Sequence, residues 1–241
     1  MFLYRLARFL ISPFYWLSLR IRNRHQLHIF HEKMGRPTEG RPKGDLIWIH
    51  VDDVAPYIGV IRSIVSNLPG TTILLTHNKP MKKPFYGAIC QQAPIDQYLT
   101  IKRFLNFWEP LYALRLGAEL RPNQLARLKK MKIPSFLINA DVSDWHYRLM
   151  RLAGWLFKKA VRNLTFIWAL DNRRTLRFAN LGAHDIRPID QMHGNNPIRE
   201  IMQKIKSTDW SKSDQSFHCW DNKHLVILPQ RAGSGDAVEA L

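Results

Sequence analysis

Asp45-Leu46-Ile47-Trp48-Ile49-His50-Val51-Asp52-Asp53-Val54-Ala55-Pro56 is an apolar run that ends on a histidine and two carboxylates. An unbroken apolar run without a period of two is the pattern of a strand buried on both faces of a parallel sheet. Its polar end then falls outside the carboxyl ends of the strands, where open α/β sheets hold their ligands. The stretch predicts a parallel sheet with a site at the mouth of its first strand.

Working outward, further short apolar runs follow at residues 72–75, 111–116, 135–138 and 165–169, separated by longer helix-like segments. That alternation is expected of βαβ units, and right-handed crossovers place the helices on both faces. The expectation is a Rossmann-like domain over residues 45–190. Ser143 and Asp171 stand where N-caps would, after strand ends, and Gly182 stands where a glycine would end a helix. Upstream, residues 36–44 are proline- and glycine-rich and read as a loop. No glycine-rich dinucleotide fingerprint and no Walker-type loop follows any strand, so no cofactor is implied. The two cysteines, Cys90 and Cys219, form neither a disulfide framework nor a zinc spacing, and no metal is expected.

The formal net charge is +17, from 36 basic against 19 acidic residues, which favours phosphate-rich partners: nucleic acid, anionic lipid or a phosphorylated substrate. Residues 1–24 mix Leu, Ile, Phe, Tyr and Trp16 with Arg5, Arg8, Arg20, Arg22 and Arg24. The segment is too short and too interrupted by arginine to span a bilayer. It fits a helix lying in the membrane interface, its aromatic residues in the headgroup boundary and its arginines on anionic phosphates of the cytoplasmic face. The competing reading is a helix packed on the domain. From residue 191 the chain turns polar, with a short helix expected over residues 197–205 and one last apolar run at residues 224–229.

Five motifs, Glu32-Lys33-Met34-Gly35, Trp48 to Pro56, Thr76-His77-Asn78, Ala118 to Asn123 and Asn139 to Ser143, together resemble those of the N-terminal half of the Kdo transferases, the glycosyltransferases that attach 3-deoxy-manno-octulosonic acid to lipid A precursor. Glu32-Lys33-Met34-Gly35 is similar to the family's Glu-Arg-Leu-Gly-like motif, and Trp48 to Pro56 matches a first strand that ends Trp-Leu-His-Ala-x-Ser-x-Gly-Glu. Thr76-His77-Asn78 matches a Thr-rich loop after the second strand. Ala118-Glu119-Leu120-Arg121-Pro122-Asn123 looks like Thr-Glu-Leu-Trp-Pro-Asn, and Asn139-Ala140-Asp141-Val142-Ser143 looks like Asn-Ala-Arg-Leu-Ser. The resemblance runs from the first residues to about Asp190. It implies one half of a GT-B-type enzyme: a Rossmann-like parallel sheet with helices on both faces, preceded by a membrane-associating helix. The family's second domain, which binds the CMP-activated sugar, is not expected in residues 191–241; residues 226–235 are at most a remnant of its opening strand and loop.

The family's general base is the glutamate that closes the first motif, and that position is Pro56 here, which has no ionisable group. Asp52 and Asp53 lie just upstream. They either replace the base from a different backbone position or cap the next helix. By the same resemblance His50, Thr76, Asn78, Glu119, Arg121, Asn139 and Ser143 would bind the acceptor. Glu119 keeps the family's carboxylate, Arg121 puts a phosphate-binding fork in place of a tryptophan, and Asp141 reverses the charge of an arginine. A lone histidine such as His50 is more often hydrogen-bonded scaffold than catalyst.

The expected function is that of a Kdo-transferase-like protein of lipid A and lipopolysaccharide core biosynthesis. It would bind lipid A precursor or a similar phosphorylated glycolipid at the cytoplasmic face of the bacterial inner membrane, with weakened or absent transfer by itself. In that reading it would regulate or scaffold a full-length transferase. One alternative is an active transferase completed by a separate donor-binding, CMP-Kdo-loaded unit. The other is a basic nucleic-acid-binding protein, which has the charge but no recognised motif.

Overall fold

The computed structural model describes residues 16–189, apart from 22–23, 67, 69, 80, 82–84, 118, 143–146, 149 and 152–153. Seven strands, β1 (Leu46–Val51), β2 (Thr72–His77), β3 (Ile89–Gln92), β4 (Tyr112–Leu116), β5 (Ser135–Ala140), β6 (Phe166–Ala169) and β7 (Ile186–Pro188), form one sheet. Every pairing is parallel and the order is β3-β2-β1-β4-β5-β6-β7. The five apolar runs are all strands, and β1, β2 and β5 continue two residues past the expected ends. Two strands had no apolar signal. β3 reads Ile-Cys-Gln-Gln and is held by pairing with β2, whereas β7 is a three-residue edge strand that ends on proline, as edges tolerate.

Helices that complete the layers include α1 (Leu27–Lys33), α2 (Ile58–Ser66), α3 (Tyr98–Trp108), α4 (Pro122–Lys130), α5 (Gly154–Val161) and α6 (Asn172–Asn180). β1 is buried along its whole length because both of its faces are covered. Ile47, Ile49 and Val51 point to one core with Ile73, Leu75, Leu114 and Ile61 of α2. Leu46 and Trp48 point to the other with Phe104, Leu105, Leu125 and Phe178 from the helices of that side. Each such fully buried side chain contributes roughly 1.5–3 kcal/mol over its exposed state. α3 buries Ile101, Phe104, Leu105 and Trp108, a stripe at helical spacing.

The caps match the sequence where it carried a signal. Asp171 accepts the Arg174 amide at 2.8 Å at the start of α6, and Gly182 follows that helix with φ +86°, a left-handed residue that costs glycine no Cβ clash. The N-cap expected at Ser143 and the elements expected after residue 190 lie outside the described residues. α4 starts on Pro122 with no cap of its own, and Asp96 of the β3–α3 loop supplies one, accepting the amides of Asn123 at 3.2 Å and Gln124 at 2.9 Å.

Residues ahead of β1 pack onto the sheet edge. Buried Glu32 accepts the Gln92 amide at 2.8 Å and the Thr38 hydroxyl at 2.7 Å, tying α1 to β3 and to the following loop. Gly35 has φ +70°, and a Cβ there would meet the Thr100 carbonyl oxygen at 2.4 Å. The Glu-x-x-Gly motif is thus an architectural joint. Residues 16–21 are helical; Leu19 packs with Met34 and Ile95, and Trp16 donates its Nε1–H to Gln97 at 3.0 Å, while Leu17, Arg20 and Ile21 are exposed. Among the described residues no helix is long and apolar enough to cross a membrane.

Candidate active site

The connection after β1 leads to β2 on one side, and the next strand added on the other side is β4, so the sheet reverses its winding between β1 and β4. At such a switch point the loops leaving the two strands part and open a crevice. His50 near the end of β1 is in register with Thr76 of β2 and Arg115 of β4, and Thr76 with Gln91 of β3. All four are buried, forming a polar row across four strands in an otherwise apolar layer.

The partners of His50 assign its tautomer. Trp48 donates its Nε1–H to Thr76 Oγ1 at 2.9 Å, which leaves the threonine hydroxyl to donate to His50 Nδ1 at 3.0 Å. Nε2 then carries the proton and donates it to Glu119 Oε2 at 3.3 Å. Burial first, and then the guanidinium groups of Arg121 and Arg115, push the His50 pKa down to about 3, so a neutral imidazole stands against a carboxylate. Burial pushes Glu119 up, but the hydrogen bond from His50 and the charge of Arg121 outweigh it and hold the carboxyl well below the usual range.

Glu119 follows β4, and its side chain is 40% exposed, enough to meet a ligand. Asn78, just past β2, donates its amide to Glu119 Oε2 at 3.0 Å and to Asp52 Oδ1 at 2.7 Å. Arg121 lies beneath, its Nε 3.0 Å from Glu119 Oε1, its Nη2 donating to Asn78 Oδ1 at 2.7 Å and its Nη1 to the Pro94 carbonyl at 2.6 Å. Asp52, His50, Thr76, Asn78, Glu119 and Arg121 therefore form one cluster. Thr76 and His50 serve it from inside the sheet; Thr76 lies within β2, not in a loop, and is fully buried. Arg121 is also buried, so it presents its charge to the cluster and not a fork to solvent.

The remaining candidates lie elsewhere. Asp53 accepts the Ala55 amide at 3.1 Å and pairs with Lys79 at 3.1 Å, which engages it at the entry to the 3-10 turn Ala55–Tyr57 that leads into α2. Pro56 sits exposed in that turn. Asn139, the last residue but one of β5, has φ +52°, beside a break in the β5–β6 register, and its Nδ2 is 3.5 Å from the Tyr57 hydroxyl. Asp141 pairs with Arg174 at 2.9 Å, and Arg174 also binds Asp171. Ser143, Arg5, Arg8 and Arg22 lie outside the described residues.

Sequence reasoning missed Arg115, Asp96, Gln124 and Tyr57. Arg115 alternates onto the same face as His50 in a strand that reads Tyr-Ala-Leu-Arg-Leu, and an arginine inside an apolar strand was the one available signal. Asp96 and Tyr57 act across the fold and left none. Two guanidinium groups, Arg115 and Arg121, face two carboxylates, Asp96 and Glu119, a balance without which buried charge is costly. The arrangement presents a fixed carboxylate at the crevice mouth, able to accept a ligand hydroxyl; among the described residues no cluster suits a metal.

A probable mitochondrial 3-deoxy-D-manno-octulosonic acid transferase of Arabidopsis thaliana is 34% identical over 61% of this chain and 36% of its own length. The 3-deoxy-D-manno-octulosonic acid transferase of Rickettsia bellii is 27% identical over 94% of this chain and 58% of its own, and that of Haemophilus influenzae 27% over 69% and 41%. The chain thus spans about a third to three-fifths of the length of these relatives. A structure of UDP-GlcNAc 2-epimerase from Neisseria meningitidis bound to UDP-GlcNAc overlaps 68% of this chain and 50% of its own at a TM-score of 0.42 and 11% identity, and adds nothing to the assignment. The family model described as 3-deoxy-D-manno-octulosonic-acid transferase (Kdo transferase) matches residues 28–193, well over half of the sequence, and the chain belongs to that family.

Proposed function

We propose that this chain is an acceptor-side unit of Kdo transfer in lipid A and lipopolysaccharide core biosynthesis, which binds an anionic glycolipid and transfers weakly or not at all by itself. The observation that carries the reading is the Glu119 carboxylate, held ionised by neutral His50, Asn78 and Arg121 at the crevice mouth. A carboxylate so fixed accepts an acceptor hydroxyl without reorganising. The low activity follows from the neighbouring turn, where Pro56 carries no base and Asp53 is engaged by Ala55 and Lys79.

Exposed Trp16, Leu17, Ile21 and Leu27, with exposed Arg20 and Arg24 among them, support docking to an anionic membrane, which for this chemistry is the cytoplasmic face of the inner membrane. The sugar donor, CMP-Kdo, would be held by a donor-binding unit. The test is flotation with phosphatidylcholine vesicles carrying tetraacyl lipid A precursor, together with a CMP-Kdo transfer assay. The expected result is binding that Glu119→Gln weakens, with little product; equal binding to vesicles without the glycolipid would overturn the reading.

One observation favours a second reading, an active transferase. Asp52 is exposed and joined through Asn78 to the Glu119 cluster, so it stands where a base displaced from position 56 could work. If transfer is found and Asp52→Asn abolishes it, this second reading holds.

A further inference from the structure

The turn that carries Glu119 leaves β4 at Gly117, where φ is +98°, and reaches α4 at Pro122. Neither helix nor strand hydrogen bonds hold the backbone of Glu119, yet its carboxylate is placed within reach of His50 and Asn78 on two other segments and of Arg121 in the same turn. Something must fix this turn from below.

Arg115 is 2% exposed, on β4, and register partner to His50. Its guanidinium forks across the turn. Nη2 donates to the Glu119 carbonyl at 2.8 Å, and Nη1 donates to Gln124 Oε1 on α4. Gln124 is itself held, its amide donating to Asp96 Oδ1 at 2.9 Å. The fork therefore spans both ends of the segment that presents Glu119 and Arg121. A guanidinium can do this because its donors are coplanar and diverge from separate nitrogens at fixed angles; the donors of an ammonium all radiate from one nitrogen on a flexible stem and form no such fork. Burying this charge in a sheet core is costly, and a methionine or leucine would fill the same space in a layer whose neighbours are Leu74, Leu137 and Ile101. The charge serves the site, not the core.

We propose that Arg115 is a positioning residue of the candidate site, which pins the β4–α4 turn so that the Glu119 carboxylate stands against His50 and Asn78. The consequence for ligand binding rests on the acceptor-binding reading above; the consequence for Glu119 does not. The charged and titratable groups around Glu119 are His50 from β1, Asp52 at the end of β1, Arg115 from β4, Arg121 at the start of α4 and Asp96 from the β3–α3 loop.

The experiment titrates the Glu119 side-chain carboxyl by carbon-detected NMR in the full chain, as wild type, Arg115→Lys and Arg115→Met, and measures flotation with the same glycolipid vesicles. Both variants are expected to raise the Glu119 midpoint by about one pH unit or more, toward the ordinary carboxylate range. Both should also weaken binding about ten-fold, the scale of one lost charge-assisted hydrogen bond. A general loss of packing would lower the melting temperature without moving that midpoint in the folded protein. A folded Arg115→Lys with an unchanged Glu119 midpoint overturns the proposal, whether or not the vesicles bind. Should neither Arg115 variant fold, Gln124→Met removes the other acceptor of the fork, and an unchanged midpoint there overturns it equally. Wild-type protein that ignores the glycolipid, with a midpoint that still moves in the variants, refutes the acceptor reading and leaves the role of Arg115 standing.

Discussion

His50 Nε2 and Glu119 Oε2 meet at 3.3 Å across the β1–β4 switch point, as a neutral imidazole and a carboxylate. The pair is not interchangeable with a salt bridge. A protonated histidine would add a third cation to Arg115 and Arg121 inside the sheet, and the Thr76 hydroxyl already occupies Nδ1 as a donor. Glu119 therefore keeps its full negative charge at the crevice mouth. We expect Glu119→Gln to weaken glycolipid binding and to destabilise the fold by about 1–3 kcal/mol, since it leaves the buried Arg121 without its carboxylate. Chemical denaturation and vesicle flotation measure the two effects; a variant that binds as the wild type does would remove Glu119 from the site.

The pH dependence of stability follows from the same pair. The fold lowers the His50 pKa to about 3 against 6.5 for an unperturbed histidine, so the unfolded chain takes up a proton that the folded chain refuses. The stabilisation is complete above pH 6.5 and is lost progressively as the pH falls toward 3. Glu119 acts in the same direction, starting lower, because its carboxyl is depressed and its share is lost below the ordinary range of about pH 4.3. His77, also lowered by burial, adds to the upper arm. Melting temperature should fall between pH 7 and pH 5, and His50→Gln should flatten that fall without touching the His77 share. An unflattened profile would mean that His50 is protonated in the fold.

Gly35 offers a test of the joint ahead of β1. Its φ of +70° strains any other residue, and a Cβ would press on the Thr100 carbonyl oxygen at 2.4 Å, a backbone atom that cannot swing aside. Gly35→Ala should cost about 2–4 kcal/mol, combining left-handed strain with the clash. Gly40→Ala, with nothing within 4 Å of its Cβ, is the control and should stay within about 0.5 kcal/mol of wild type. Equal melting temperatures for the two variants would show that α1 is not docked as described.

What was legible in the sequence divides along physical lines. Strands buried on both faces announce themselves as unbroken apolar runs, so β1, β2, β4, β5 and β6 could be read, and with them the parallel sheet. β3 could not, because Gln91 and Gln92 are buried polar residues whose place is set by pairing with β2. The position of the cluster was legible because His50 and Asp52 close an apolar run and Asn78 follows one. Its internal logic was not. Arg121 reads as a surface fork until Pro94, Asn78 and Glu119 are seen to surround it, and Asp96 caps a distant helix through Asn123, 27 positions away, and its neighbour, a contact that no local pattern encodes. The two adjacent carboxylates look equivalent in sequence, yet Asp53 turns to the Ala55 amide and Lys79 while Asp52 turns to Asn78.

That divergence gives the last prediction. Pro56 lies exposed in the 3-10 turn Ala55–Tyr57, beside the crevice, at the place where the family's motif has its glutamate. The turn is held by the Ala55 amide on Asp53 and by the Tyr57 amide on the Val54 carbonyl at 3.0 Å, neither of which needs the proline ring, so Pro56→Glu should fold with little change in stability. Proton abstraction by a placed carboxylate is worth about 10²–10⁴-fold in rate. If the Glu119 cluster binds the acceptor, then Pro56→Glu, supplied with CMP-Kdo and a donor-binding unit, should raise transfer by that order over the wild-type chain. Asp52→Asn should leave the gain intact if Asp52 is only a ligand of Asn78, and should erase the wild-type background if Asp52 is the displaced base. A Pro56→Glu chain that binds glycolipid normally but gains no transfer would show that the crevice holds the acceptor hydroxyl beyond reach of position 56.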